Sequence, residues 1–260
     1  MKIVVTVKSV AALDDEFDLD GATVDPDCLE WEVNEWDTFS LEAALRCKEA
    51  VDTGEVVVVT VGDEEADDAL LACLAKGADR AVRVWDDGLE GADALAVARV
   101  LAAAVQRESP DLVLCGVQSS DAVNGATGVA VAAHLGLPRV AVVKRLDLDA
   151  ASRTATVERE LEGGLVEVLR VRCPALLTIQ TGINEPRYAT LRAIKQAREK
   201  PLEVADLSAV GVSADEVAAA AGSRTRSLAQ HERGAGAQML DGSAADVAAR
   251  IAEIVKERMN

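Results

Sequence analysis

The sequence predicts an α/β protein with a parallel sheet covered by helices, an antiparallel extension and a C-terminal arm. Two patterns carry this prediction. Compact β-branched runs alternate with helical segments over the first half of the 260-residue chain, an order typical of parallel sheets with right-handed crossovers. Four strand-like segments joined by short links follow, as in an antiparallel pair. After residue 201 this strand pattern is lost.

The first half of the chain predicts four strands and four helices. The strands fall at residues 2–8, 56–61, 81–85 and 112–116. The run VVVVTV from Val56 is the clearest, because continuous β-branched residues are typical of a strand buried on both faces. The helices fall at residues 37–51, 64–76, 93–107 and 124–135. The acidic segment at residues 13–32 is predicted to be irregular.

The second half predicts strands that pair without intervening helices. They fall at residues 140–147, 154–161, 165–171 and 175–180, with Glu162-Gly163-Gly164 as a hairpin turn. Residues 223–237 are too polar to form a core, and residues 244–257 predict an amphipathic helix. We therefore expect a domain at residues 1–201 and an arm at residues 202–260. Such an arm either packs on another protein or folds back locally as a tail.

The charge balance excludes several classes of function. The chain has 45 acidic and 27 basic residues, a formal net charge of −18, which argues against binding nucleic acid or anionic membranes. Its three Trp, two Phe and one Tyr are too few for base-stacking platforms. Only eight of the basic residues are Lys. A carboxylate-rich, lysine-poor surface suits concentrated salt and predicts a halophile's protein, with an acidic mesophile protein as the alternative.

Cysteine usage and the N-terminus indicate a cytoplasmic protein. The five cysteines form no CxxC pair, so with two histidines we expect no metal site and no disulfide. The start, MKIVVTVKSV, turns polar too soon for a signal peptide, and no apolar run approaches membrane-spanning length. Neither histidine has a nucleophile at a recognisable spacing, so the sequence predicts no catalytic residue and no enzyme activity.

The best candidate for binding a small ligand is CGVQSSDAVNGATG, from Cys115 to Gly128. It leaves a buried strand and enters a helix, and open parallel sheets bind ligands beyond the carboxyl ends of their strands. The small residues let a phosphate reach the free N–H groups of the helix N-terminus. Gln118 and Asp121 could hydrogen-bond a base or ribose. No Walker or G-x-G-x-x-G pattern is present, so an ordinary strand–helix loop remains the alternative.

A net-basic stretch, INEPRYATLRAIKQAREKP from Ile183, stands out in this acidic chain. Pro186 fixes a turn, after which Tyr188 and Leu191 supply apolar groups. An apolar centre with a basic rim is typical of a protein-docking element. The alternative is a surface helix whose Leu191 and Ile194 face the core.

Taken together, these motifs closely resemble the electron transfer flavoprotein beta-subunit family over nearly the whole chain. NEPRYATLRAIKQAREKP resembles the family's signature, and DLVLCGVQSSDAVNGATG resembles its nucleotide loop. VTVGDEEADDALLACLAKGADRAVRV and VERELEGGLVEVLRVRCPALLTI resemble two further blocks. The resemblance implies a Rossmann-like sheet of the adenine-nucleotide-binding type, with nucleotide bound by residues 1–201 and residues 202–260 packing on an alpha subunit.

The resemblance also implies a function as an electron carrier. The alpha subunit would hold most FAD contacts, and the pair would pass electrons from flavin dehydrogenases to a membrane quinone oxidoreductase. The beta subunit would bind AMP or, in bifurcating members, a second FAD. Nucleotide contacts would fall on Val7, Ser9, Asn34, Asp37, Val61, Gly62, Gln118, Asp121, Asn124, Gly125, Ala126 and Thr127.

Partner recognition would fall in the loop at residues 183–201, with Leu191 as the apolar anchor. The recognition residues would be Asn184, Glu185, Pro186, Arg187, Tyr188, Leu191 and Arg192. Arg224, Arg226 and Arg233 are further candidates for contacts to the alpha subunit or its flavin.

Departures from the family pattern concern the choice of nucleotide. Asp37 stands where AMP-binding members commonly have Cys and bifurcating members have Asp, which slightly favours FAD. Ala126 replaces a common Gln, and the acidic cluster is thinned to Asp121, which weakens that inference. A stand-alone adenine nucleotide-binding protein, like the universal stress proteins, is the alternative function.

Overall fold

The computed structural model describes residues 1–13, 17, 19–20, 23–25, 28–51, 54–229 and 236–259. The strands in these residues are β1 Lys2–Thr6, β2 Ser9–Leu13, β3 Leu19–Asp20, β4 Thr23–Val24, β5 Leu29–Val33, β6 Glu55–Val61, β7 Arg80–Val84, β8 Leu112–Gly116, β9 Arg139–Asp149, β10 Thr154–Glu160, β11 Val166–Arg172, β12 Ala175–Ile179 and β13 Leu202–Ala205. The helices are α1 Glu35–Val51, α2 Ala66–Lys76, α3 Ala94–Glu108, α4 Thr127–Leu135, α5 Leu191–Ala197, α6 Ala214–Ala220 and α7 Ala244–Met259.

A nine-stranded sheet forms the centre of the fold, in the order β11-β10-β9-β12-β8-β1-β6-β7-β13. Neighbouring strands are parallel across one part of the sheet, which consists of the seven strands β9, β12, β8, β1, β6, β7 and β13. β10 pairs antiparallel with both β9 and β11. This confirms the predicted α/β fold with its antiparallel extension. The turn between β10 and β11 contains Gly163 and Gly164, both with positive φ, as the hairpin prediction requires.

Helices cover both faces because the central strands alternate their buried side chains. Ile3 and Val5 of β1 belong to a core with Leu41 of α1 and residues of α2. Val4 faces a second core with α3 and with Val131 of α4. In an all-parallel sheet each strand is buried on both faces, which explains the continuous apolar runs. No helix in the described ranges is long and apolar enough to cross a membrane.

Several element boundaries differ from the prediction. The segment predicted to be irregular contains β3, β4 and most of β5, and β5 pairs antiparallel with β2 from Ser9↔Val33 to Leu13↔Leu29. The helix predicted from residue 124 begins at Thr127, because the loop after β8 continues through Ala126. The helix predicted from residue 37 begins at Glu35.

The chain beyond residue 201 contains structure that its weak pattern did not reveal. β13 pairs in parallel with β7 at the sheet edge, and a Ser213–Glu216 capping box starts α6. One compact unit extends from Met1 to Arg226, and a second unit, Ser227–Asn260, contains α7. The division of roles at residue 201 stays a prediction, and Arg233 lies outside the described residues.

Candidate nucleotide cleft and docking loop

A cleft of about 530 Å³ lies where β1, β6 and β8 end. Ten residues predicted to contact nucleotide line it: Val7, Asn34, Asp37, Val61, Gln118, Asp121, Asn124, Gly125, Ala126 and Thr127. The other two predicted contacts are not among its lining residues. Ser9 begins β2, and the Gly62 N–H donates to the Val84 carbonyl at 3.1 Å. The geometry therefore brings most of the predicted set together, and its role in binding stays a prediction.

Asp37, in the first turn of α1, joins two strand ends. Its Oδ2 accepts a hydrogen bond from the Lys8 amide at 2.8 Å, and its Oδ1 accepts one from the Gly116 amide at 2.9 Å. Lys8 follows β1 and Gly116 ends β8. The side chain is buried, and burial raises its pKa to about 7 although these hydrogen bonds oppose the rise. One carboxyl group thus fixes the floor of the cleft.

Gly116 is a structural requirement that sequence reasoning did not identify. A Cβ at this position would lie 2.5 Å from Oδ1 of Asp37 and 2.6 Å from Cβ of Trp36. The close approach of α1 to the end of β8 therefore requires glycine. A glycine directly after a buried strand was the available signal.

Asn34 holds the loop that follows β8. Its Nδ2 donates to the Gln118 carbonyl at 2.9 Å, and its Oδ1 accepts from the Ser120 amide at 3.2 Å. Its own amide donates to the Lys8 carbonyl at 2.9 Å. Since the side chain is buried and uses both ends, Asn34 sets the shape of the loop.

Lys8 is a lining residue that sequence reasoning missed. Its Nζ lies 2.5 and 2.7 Å from the two carboxylate oxygens of Asp121. Burial raises the pKa of Asp121, but the hydrogen bonds from Lys8, Ser119 and the Ala122 amide, together with the charge of Lys8, outweigh it and keep the pKa below its usual value. The position of Lys8 just after β1 was the signal that could have identified it.

The N-terminus of α4 lies in the wall of the cleft. Ala126 is its N-cap and offers no side-chain cap, so the first N–H groups of α4 are left for a ligand. Gly128 allows close packing, because a Cβ there would meet both Cys115 Sγ and Thr178 Cγ2 at 2.9 Å. These features fit the phosphate of an adenine nucleotide.

The docking loop, defined here as residues 184–191 and therefore including the first residue of α5, is held against α1. Asn184 Nδ2 donates to the Phe39 carbonyl at 3.0 Å. Arg187 binds both Glu42, with Nε–Oε2 at 2.7 Å, and Glu49, with Nη1–Oε1 at 2.6 Å. The Glu42 side chain is only 5% exposed, so the arginine neutralises a largely buried carboxylate. The loop therefore has a fixed base.

The apolar groups that follow this base face solvent. Tyr188 is 97% exposed and Leu191 is 82% exposed. The alternative in which Leu191 faces the core is therefore wrong. Ile194, one turn further along α5, is 49% exposed. The exposed pair is consistent with a surface for another protein.

Comparison with known proteins gives a family. The electron transfer flavoprotein domain matches residues 23–210. An electron transfer flavoprotein subunit beta from Methylophilus methylotrophus is 49% identical over 99% of this chain and 98% of its own length. The mitochondrial subunit beta of Arabidopsis thaliana is 37% identical over 78% of this chain and 80% of its own. The subunit beta of Bacillus subtilis is 32% identical over 80% and 79%.

This chain belongs to the electron transfer flavoprotein family. The match to the Methylophilus methylotrophus protein covers both the cleft and the docking loop, and it favours an electron transfer flavoprotein beta subunit over the stand-alone nucleotide-binding protein. As a member of this family, the chain has the α/β fold that its sequence predicted.

The basic residues of the stretch at residues 183–201 have two different roles. Arg187 is committed to its ion pairs, and Lys200 Nζ donates to the carbonyls of Leu74 and Ala78 at the end of α2. Arg192, Lys195 and Arg198 are exposed and form no ion pair among the described residues. The stretch contains five basic residues, so only these three are left for the basic rim that the sequence predicted.

Proposed function

We propose that this chain is the beta subunit of an electron carrier rather than an enzyme. It pairs with an alpha subunit that holds FAD, and FAD supplies the redox chemistry when bound. The cleft binds an adenine nucleotide, and the docking loop with Leu191 receives flavin dehydrogenases, whose electrons pass on to a membrane quinone oxidoreductase. The observation that carries the proposal is the cleft ending at the uncapped α4 N-terminus, in a chain of this family.

For the cleft we propose AMP in preference to a second FAD. The sequence favoured FAD through Asp37 alone. Both oxygens of Asp37 accept hydrogen bonds from strand-end amides, so the carboxyl group has a structural role that requires no second flavin. A second FAD, with flavin-based bifurcation, is the competing proposal.

The test is to purify the chain co-expressed with its alpha subunit and to quantify the nucleotides released on denaturation. We expect one FAD and one AMP per heterodimer. Two FAD and no AMP would establish the competing proposal. A chain that forms no complex and carries no nucleotide would overturn the function altogether.

One substitution tests the position of the phosphate. Ala126→Asp places a carboxylate at the N-cap of α4, where it competes with phosphate for the free N–H groups. We expect AMP affinity to fall at least about tenfold. Ala126→Asn is the control of the same size, because it caps the helix without adding charge and should weaken AMP binding less. Equal losses of AMP affinity in both variants would show that the phosphate does not bind at the N-terminus of α4.

We also propose that the protein is cytoplasmic and works in concentrated salt, as in a halophile. The support is the formal net charge of −18, whose repulsion salt would screen.

A further inference from the structure

The N-termini of two helices reach the cleft, and they differ in how they are capped. α4 has no side-chain cap. α3 is capped by Asp93, whose Oδ1 accepts from the amides of Leu95 at 3.1 Å and Ala96 at 2.9 Å. Both Asp93 and Thr127 line the cleft. Of these two helices, α4 is the one whose first N–H groups have no side-chain cap among the described residues.

The second oxygen of Asp93 holds a distant part of the chain. Oδ2 accepts hydrogen bonds from the Gly222 amide at 2.7 Å, the Ser223 amide at 2.7 Å and the Ser223 hydroxyl at 3.0 Å. Gly222 packs so closely that a Cβ there would lie 2.9 Å from Cδ1 of Leu95. After α6, the chain thus returns to the start of α3.

This return brings two hydroxyl residues to the cleft. Ser223 and Thr225 both line it. The Ser223 hydroxyl is used by Asp93, whereas the Thr225 hydroxyl has no hydrogen bond within the described residues. Residue 225 also lies next to Arg226, where the compact unit ends.

We propose that residues 222–225 form a wall of the nucleotide site, that Asp93 positions this wall, and that the Thr225 hydroxyl binds the sugar or base of the nucleotide. The inference rests on the proposed binding of adenine nucleotide in the cleft.

Charge decides which end of the nucleotide meets this wall. Hydrogen bonds from Ala96, Gly222 and Ser223 keep the pKa of Asp93 at about 2, so it is anionic at any pH at which the protein works. Asp93 has no ion-pair partner among the described residues. A phosphate near it would be repelled, so the phosphate lies at α4 and the uncharged sugar or base lies beside Thr225.

The direct test is calorimetric titration of AMP into the nucleotide-free heterodimer. Thr225→Val keeps the side-chain size and removes the hydroxyl, so AMP should bind about three- to tenfold more weakly with an unchanged melting temperature. Asp93→Ser retains a good N-cap for α3 but cannot also hold residues 222–223. It should weaken AMP binding about tenfold.

A second measurement, amide hydrogen exchange, distinguishes a positioning role of Asp93 from a general loosening of the fold. AMP should slow amide exchange at Gly222 and Ser223 in the unchanged protein, and this protection should disappear in Asp93→Ser. Glu216→Gln is the matched control. It removes the 2.8 Å ion pair between Arg99 of α3 and α6, keeps the capping box, and should leave AMP affinity unchanged.

The outcomes separate this inference from the proposed function. If the unchanged heterodimer binds neither AMP nor FAD in the cleft, the proposed nucleotide function fails. If it binds AMP and both Thr225→Val and Asp93→Ser bind it equally well, only the wall is overturned. If the cleft binds FAD instead, and both Thr225→Val and Asp93→Ser bind FAD more weakly, the wall is supported and FAD rather than AMP is the occupant.

Discussion

The cleft and the docking loop are both attached to α1, but by different kinds of interaction. At the first turn of α1, buried Asp37 and Asn34 hold the floor of the cleft through hydrogen bonds to backbone amides and carbonyls. Further along, Glu42 and Glu49 hold the loop through ion pairs with Arg187, which is about one-third exposed. Buried hydrogen bonds are little affected by salt, whereas exposed ion pairs are screened. The buried hydrogen bonds therefore fix the shape of the cleft, whereas the ion pairs hold a loop that presents an apolar surface.

The largest effect should come from removing the carboxyl group that fixes the cleft. Asp37→Ala leaves the amides of Lys8 and Gly116 without their acceptor, and each buried unsatisfied donor costs about 1–3 kcal/mol. We expect the free energy of unfolding in urea to fall by about 3 kcal/mol. Asp63→Ala is the control, since the carboxylate of this half-buried residue accepts, among the described residues, from the Glu65 amide alone, and it should cost less than about 1 kcal/mol. Similar losses in both would mean that Asp37 is no more than a local cap.

The protonation of Asp37 should appear in the pH dependence of stability. Its pKa is about 7 in the folded chain against an ordinary value of 3.8 for aspartate, so the folded state binds the proton more tightly. Stability from this group is complete below about pH 4 and is lost as pH rises towards 7, with a slope approaching about 1.4 kcal/mol per pH unit. Urea unfolding of the unchanged protein and of Asp37→Asn across this range gives the difference. Parallel curves would show that Asp37 does not titrate there.

The fold was predictable because each central strand carries a local signal. The run VVVVTV from Val56 is a continuous pattern that needs no tertiary information. β13 has no such signal: its four residues form a strand only because the edge of β7 is available for pairing. The helix start at Thr127 was also displaced, since the sequence does not reveal how far the loop after β8 extends.

The candidate site was predictable where it follows the chain closely and not where it joins distant segments. The loop at residues 118–127 was expected because it follows a strand and precedes a helix. The contact from Asp93 to Ser223 spans 130 residues, and nothing in either local sequence indicates the other. Arg187 likewise read as part of a basic rim, because its partners Glu42 and Glu49 lie on a helix far away in sequence.

On the docking loop, the largest effect should come from Leu191. If it is the anchor, Leu191→Ala should lower the second-order rate of electron transfer from a flavin dehydrogenase about tenfold or more, as for a central interface residue. Stability and nucleotide content should not change, because the side chain is 82% exposed. Ile194→Ala on the same helix is the control, with a smaller expected loss. Stopped-flow flavin reduction measures both, and an unchanged rate in Leu191→Ala would place docking on another surface.

A smaller effect is expected from the base of the loop. Arg187→Ala removes the ion pairs to Glu42 and Glu49, at a cost of about 1 kcal/mol, given that the arginine is partly exposed. Docking should weaken through loss of loop position while AMP content stays the same. Arg107→Ala is the matched control, because it also removes an exposed ion pair, that with Glu203 at 2.9 Å, and Arg107 is not one of the recognition residues. If Arg187→Ala lowered the AMP content as strongly as it lowered docking, the part of α1 that holds the docking loop would not be independent of the part that holds the cleft.

The smallest effect per charged group should come from added salt, which weakens both charge repulsion and ion pairs and so changes stability in two opposite directions. Adding KCl screens the repulsion within a chain of net charge −18, but it also weakens ion pairs such as Arg187–Glu49. Repulsion involves the whole surface, whereas exposed pairs contribute at most about 1 kcal/mol each. We therefore expect the melting temperature to rise steadily with KCl, while the small stability loss of Arg187→Ala diminishes. A melting temperature that falls with KCl would mean that ion pairs dominate, and it would remove the support for a protein that works in concentrated salt.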